Sequence, residues 1–166
     1  PSLPLDIWGA TDKGRQREGN EDSVYPHSGL EASSFVPSQA HLQQQGQLLV
    51  VADGVGGAQG GAQASQWAIR VAVEKFYELY GGDRGGDLGS AIAFANASLF
   101  QYLQSTGMRE AGCTMTAAVV HDNMLFVANV GDSRVYRLRD WVIEQLTEDH
   151  TIVTEAKRHA ADPRPP

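Results

Sequence analysis

The sequence predicts an α+β fold, and three observations carry that prediction. Residues 48–52 (LLVVA) form a short continuous apolar run with the length of a buried strand. Two stretches with apolar residues at every third or fourth position follow it, as amphipathic helices require. Beyond them come short strand-like segments separated by turn residues, without the regular strand–helix alternation of a parallel sheet.

Each element has its own punctuation. The LLVVA strand stops at Asp53-Gly54 and runs into a glycine-rich stretch that ends at Gly61. Ala64, Ala68, Val71, Ala72, Phe76 and Leu79 then mark one face of a helix, which Gly81 and Gly82 terminate. Asp87 is the expected N-cap of a second helix whose apolar face is Leu88, Ile92, Ala95, Leu99 and Leu103. Glycines at 107 and 112 break that pattern. Strands are expected at 113–120, 124–130, 134–138 and 142–146, joined by the turns His121-Asp122-Asn123, Gly131-Asp132 and Arg139-Asp140. Residues 28–47 are polar and rich in Gln and Ser, and read as a mobile loop, while 160–166 carry three prolines and read as an irregular tail. No internal repeat is present, and residues 1–166 are expected to form one domain.

Composition narrows the function classes. With 42% hydrophobic and 20% charged residues in 166, the chain has material for a real core. A formal charge of −7 argues against nucleic acid, whose phosphates reward surplus Lys and Arg. No run of about 18 apolar residues occurs, so no membrane span is expected. The start, PSLPLDIW, lacks the basic and apolar parts of a secretion signal and reads as a processed or engineered N-terminus. A single cysteine, Cys113, excludes an internal disulfide and a multi-cysteine zinc site, which suits a reducing cytoplasm.

The chemistry-bearing residues are carboxylates at the expected strand exits: Glu21 and Asp22 in REGNED, Asp53 in VADGVGG, and Asp132 in NVGDSR. Acids that converge without neutralising bases repel one another, and a hard divalent cation relieves that repulsion. Oxygen ligands alone suit Mg2+ or Mn2+ rather than zinc. Gly54 leaves its carbonyl open to a metal or its water. Each residue also has a plainer reading. Asp53-Gly54 fits an ordinary turn, although a helix rather than a returning strand follows it. Asp132 fits a tight turn between strands, and Glu21-Asp22 fits a solvated surface pair.

Other chemistries fail on spacing. A dinucleotide fingerprint from Gly54 needs glycine at 59, where Gln59 stands. A phosphate loop through Gly56 and Gly61 needs lysine at 62, where Ala62 stands. Six positions after Cys113, where a cysteine phosphatase places arginine, stands Val119, and Cys113 reads as a small core residue. The five histidines show no metal-ligand spacing and read as surface or packing residues. Arg17 and Arg134 could each fork two hydrogen bonds onto a phosphate. Arg17 lies closer to the acidic cluster and is the preferred clamp, while a surface arginine and a strand ion pair are the plainer readings.

Taken together, GATDKG at 9–14, Arg17 with Asn20-Glu21-Asp22, VADGVGG at 51–57, Gly112-Cys113-Thr114, NVGDSR at 129–134 and LTEDH at 146–150 resemble the PP2C (PPM) family of metal-dependent serine/threonine phosphatases. The resemblance implies a β-sandwich of two antiparallel sheets flanked by helices, with a binuclear Mg2+ or Mn2+ centre at one end. It implies that Asp53 bridges two metals, that Gly54 offers its carbonyl to one, and that Glu21 and Asp22 hold metal-bound waters. It further implies that Arg17 binds the substrate phosphate and that Asp132 helps form a third metal site. A metal-activated water would then attack phosphoserine or phosphothreonine in proteins, without a protein nucleophile.

The chain departs from the family pattern twice. Val55 stands where many members carry a histidine after Asp-Gly, which points to a bacterial type. After His150 only TIVTEAKRHAADPRPP remains, with neither the late Asp-Gly element nor the final Asp-Asn pair that supply further metal ligands. The expectation is a C-terminally incomplete domain whose missing strands come from further residues or a second chain. The alternative is a catalytically impaired pseudophosphatase that serves as a binding or regulatory module.

Overall fold

The computed structural model describes residues 5–26, 35–57, 59–79 and 81–151. Ser23–Tyr25 (β1), Gln47–Ala52 (β2), Met115–His121 (β5) and Met124–Val130 (β6) form a four-stranded antiparallel sheet in the order β1-β2-β5-β6. Between them in the chain lie Gln39–Gln45 (α1), Gly54–Val55 (β3), Gly60–Glu78 (α2), Arg84–Thr106 (α3) and Gly112–Cys113 (β4). Strands β3 and β4 pair with each other, and Tyr136–Arg139 (β7) pairs with Val142–Gln145 (β8) as a separate hairpin.

Strand alternation decides where the core sits. Leu48, Val50 and Ala52 of β2 point one way, opposite Val119, Ala117 and Met115 of β5, and all are buried in one cluster with α2 and α3. Helix α2 offers that cluster Ala64, Ala68, Ile69, Ala72, Val73 and Phe76, a stripe at helical spacing. It packs on β1 and β2 while α3 packs on β5 and β6. Between the helices, Trp67 stacks on Tyr102 with ring centroids 4.0 Å apart and donates from Nε1 to Ser98. No described helix is long and apolar enough to cross a membrane.

The opposite face of the sheet carries Leu49, Val51, Thr116 and Ala118. Residues 6–10 and the start of β7 border a cavity of about 500 Å3 over it. Val51 is 46% exposed there, and the β7–β8 hairpin exposes Leu138, Val142 and Ile143. Among the described residues, then, the predicted architecture consists of one sheet covered by helices and two small two-stranded sheets, rather than two full sheets.

Three expectations need correction. Residues 39–45, placed in a mobile loop, are helix α1. Ser38 caps it by accepting from the His41 backbone while His41 returns a bond to the Ser38 backbone N–H. Helix α3 starts earlier than expected, because Asp83 rather than Asp87 is the N-cap, its carboxylate accepting from Gly85 N–H. Asp87 lies inside the first turn and is buried. The strand expected at 113–120 is interrupted at Thr114, with β4 on one side and β5 on the other. The tail at 160–166 and the segment 28–34 lie outside the described residues, as do His27 and His159.

Candidate functional site

Arg17 through Asp22 lead into β1 through a bend at Glu18-Gly19, and alternation over residues 21–23 separates the two adjacent acids. Ser23 points to the helix side, where its hydroxyl meets Ser65 of α2 at 2.9 Å. Glu21, two positions earlier, points the same way. It is buried, its carboxylate lies against Gly61 at the start of α2, and its backbone carbonyl accepts from Ser65 at 2.6 Å. Asp22 turns to the other side. Its backbone N–H donates to the Asn20 side chain, and Asn20 donates to Thr11 at 2.7 Å, which ties the 9–14 segment to this approach.

Asp53 stands where β2 ends, one position beyond Ala52, and therefore on Asp22's side of the sheet. Together with Asp12, Lys13, Arg17, Gly19 and Asn20, the two aspartates line a polar cavity of about 190 Å3. Partial burial raises the Asp22 pKa above the usual carboxylate value of 3.8. The charge of Asp53 and a hydrogen bond shared with it add to the shift, and Arg17 opposes it. Solvent still reaches Asp22 and screens part of this repulsion.

Gly54 and Gly61 explain how the backbones come so close. A Cβ on Gly54 would lie 2.5 Å from the Glu21 carbonyl oxygen, so only glycine fits. Gly56 and Gly57 follow with φ of 120° and 79°, which turn the chain from β3 into α2.

The other predicted residues lie as follows. Arg17 is 69% exposed, and its only ion pair among the described residues is with Glu21 at 3.5 Å. Arg134 is engaged: its guanidinium forks onto Asp149 at 2.9 and 2.5 Å, which holds the Asp149 carboxyl below its usual range. Asp132 is exposed, follows Gly131 (φ 106°), and does not line the Asp22–Asp53 cavity. Cys113 packs at the edge of the core, where burial pushes its thiol up to about 11. His41 stacks on Tyr77 and Phe35, and His150 Nδ1 accepts from Gly131 N–H at 3.4 Å.

Asp22 and Asp53 could hold a divalent cation, because acids facing one polar cavity supply hard oxygen donors, whereas Gly54 is buried and does not line that cavity. Among the described residues no group of three or more Asp, Glu, His or Cys side chains is placed to hold a metal ion. Sequence reasoning quoted Thr114 in the Gly112-Cys113-Thr114 motif but gave it no role, and its contacts depend on its hydroxyl. Thr114 Oγ1 accepts from Asp53 N–H at 3.0 Å, and Thr114 N–H donates to the Asp53 carbonyl at 2.8 Å.

Comparison with known proteins identifies the family. The protein phosphatase 2C profile matches residues 37–159. The serine/threonine protein phosphatase PstP of Mycobacterium tuberculosis is 32% identical over 153 residues, 92% of this chain and 26% of the relative. The serine/threonine phosphatase stp of Listeria monocytogenes is 49% identical over 47 residues, 28% of this chain and 19% of that protein. The crystal structure of the PstP catalytic domain in complex with two manganese ions superposes with a TM-score of 0.67 at 30% identity, covering 90% of this chain and 57% of that one. The chain thus spans about a quarter or less of these curated relatives and just over half of the solved catalytic domain. A profile match over most of its length, the same fold and the motifs at Arg17, Asp53 and Gly131–Arg134 lead to one conclusion: the chain belongs to the protein phosphatase 2C family.

Proposed function

We propose that this chain hydrolyses phosphoserine and phosphothreonine in proteins with the help of Mg2+ or Mn2+. The observation that carries this reading is the convergence of Asp22 and Asp53 on one polar cavity, with Arg17 in its wall, in a chain of this family.

The residues divide the work. Asp53 and Asp22 hold the cations, and Asp132 serves an outer ion. Divalent cations bound there make water a nucleophile at neutral pH and offset charge on the phosphoryl oxygens. Arg17, held by a single long ion pair, swings its guanidinium onto the substrate phosphate and orients it for in-line attack. Glu21, buried against α2, braces Arg17 and keeps the approach to β1 in place. Manganese in the similar PstP domain supports the class of ion, and either Mn2+ or Mg2+ satisfies hard oxygen donors. The free cysteine accords with a cytoplasmic setting. The open sheet face takes a further β-layer, from another segment or a second copy, because Val51, Leu138 and Ile143 otherwise remain exposed.

A second reading, a non-catalytic phosphoprotein-binding module, is favoured by one observation: although Asp12, Asp22 and Asp53 all line the cavity, no three acidic, histidine or cysteine side chains among the described residues are placed to hold a metal ion together. Hydrolysis of p-nitrophenyl phosphate and a phosphothreonine peptide, with Mn2+ and with EDTA, separates the two. Metal-dependent turnover that drops at least about 100-fold in Asp53→Ala supports the phosphatase. A folded protein that binds the peptide without turning it over supports the module.

A further inference from the structure

The Asp53 and Asp132 segments come from different strand ends, and one hydroxyl joins them. Thr114 interrupts the strand at the position opposite Asp53, between the pairings Gly54↔Cys113 and Val51↔Thr116. In a regular antiparallel pair, two residues facing each other at a closely spaced site exchange both backbone bonds. Here one is exchanged, Thr114 N–H to the Asp53 carbonyl, and the Asp53 N–H goes instead to Thr114 Oγ1. The same oxygen lies 2.8 Å from the hydroxyl of Ser133, the residue after Asp132. The neighbouring backbone fits around the same side chain. A Cβ at Gly131 would lie 2.6 Å from Thr114 Cγ2, so Thr114 fills the place where only a glycine can precede Asp132. Ser133 is tied down in turn, its carbonyl accepting from Thr116 at 3.2 Å.

We propose that Thr114, with Ser133, is a positioning residue that sets the spacing between the Asp53 and Asp132 carboxylates and so governs how tightly the site holds divalent cations. This rests on the metal-dependent reading above. A hydroxyl is needed because it accepts the Asp53 N–H and still has a proton or a second lone pair for Ser133. Valine has the same shape but offers neither, which leaves the Asp53 N–H without its acceptor and the two segments unlinked. Serine keeps the hydroxyl and loses only a methyl. Groups that orient ligands from behind typically alter metal affinity or activity by about 10- to 100-fold when removed.

The test is Mn2+ affinity of the full chain, by isothermal titration and by the electron paramagnetic resonance of free Mn2+, alongside turnover of a phosphothreonine peptide. Circular dichroism verifies the fold of each variant. Thr114→Val is expected to weaken Mn2+ binding about 10-fold or more, with Thr114→Ser within about 2-fold of the parent. Ser133→Ala should weaken it less, and adding it to Thr114→Val should change little, as one shared link requires. A folded Thr114→Val that binds Mn2+ like the parent overturns the positioning role and leaves the metal reading standing. Failure of Thr114→Ser to restore binding also overturns that role, since the hydroxyl would then not be what matters. A parent protein that binds no Mn2+ overturns the metal reading and the positioning role with it.

Discussion

The two faces of the central sheet were made by the same strands and turned out opposite. On the helix side, Leu48, Val50 and Ala52 are at most 2% exposed, and α2 lays alanines against them so that its backbone comes close. On the other side, Val51 is 46% exposed, and the carboxylates of Asp22 and Asp53 face a polar cavity. The difference shows a division of labour along each strand: even positions of β2 hold the fold together, and the next residue beyond the strand carries the chemistry. It also explains why Glu21 and Asp22, neighbours in sequence and alike in charge, have different fates. Glu21 falls on the sealed side and Asp22 on the open one.

That contrast can be broken from either side. The largest effect belongs to the sealed face. Phe76, fully buried in the cluster, should cost about 3 to 5 kcal/mol when changed to alanine, because the lost contacts leave a cavity. Urea unfolding of Phe76→Ala checks this, and a loss below about 1 kcal/mol would mean that the helices are not what stabilises the sheet.

A smaller effect, of opposite sign, belongs to the acidic pair. The Asp22 pKa is raised on folding, so the folded state holds that proton to higher pH than the unfolded chain. The stability this contributes is present below the ordinary value of 3.8 and is lost as pH rises through the folded pKa. At pH 7 in EDTA, Asp22→Asn should therefore be more stable than the parent, and the two should converge as pH falls below about 4. Saturating Mn2+ should reverse their order at pH 7. Denaturant titrations with and without Mn2+ measure both, and an asparagine variant that is less stable in EDTA would refute the repulsion.

Smallest of all is the exposed hairpin. Ile143→Thr should change stability by no more than about 0.5 kcal/mol if β8 stands in water as described. A loss above about 1 kcal/mol would sharpen the comparison differently, by revealing that the open side is covered in solution.

What could be read from the sequence tracks these two faces. Strand β2 and helix α2 were legible because a continuous apolar run and a helical apolar period mark the sealed surface, whereas β6, none of whose residues is fully buried, was legible from its apolar content and the turns that flank it. Arg17 was preferred to Arg134 for its nearness to the acidic cluster in the chain; in the structure it lines the Asp22–Asp53 cavity, while Arg134 forks onto Asp149 in the ion pair that was its plainer reading. Helix α1 was not legible. It has few apolar residues, and its anchor is Gln45, which reaches across to donate to the carbonyls of Phe76 and Leu79 at the end of α2. A tertiary bond of that kind leaves no periodicity. The start of α3 was obscured by two glycines between Asp83 and Asp87, which look like a turn rather than a first helical turn. Glu21 was placed with the ligands through its motif; the structure buries it on the helix side of the sheet, outside the Asp22–Asp53 cavity, by an alternation that a motif does not display. The Thr114 hydroxyl was invisible because its partners lie 61 and 19 residues away.

The tryptophans sit unevenly across this molecule, and that gives the protein its own optical reporter. Trp67 is half-buried between the helices, stacked on Tyr102 and with the Arg70 guanidinium 4.4 Å from its ring. Trp8 and Trp141 are 86% and 96% exposed, one bordering the open face and the other at the hairpin tip. The emission of the two water-facing rings should therefore shift with whatever comes to lie over the side of the sheet that the helices leave bare, while that of Trp67 should not.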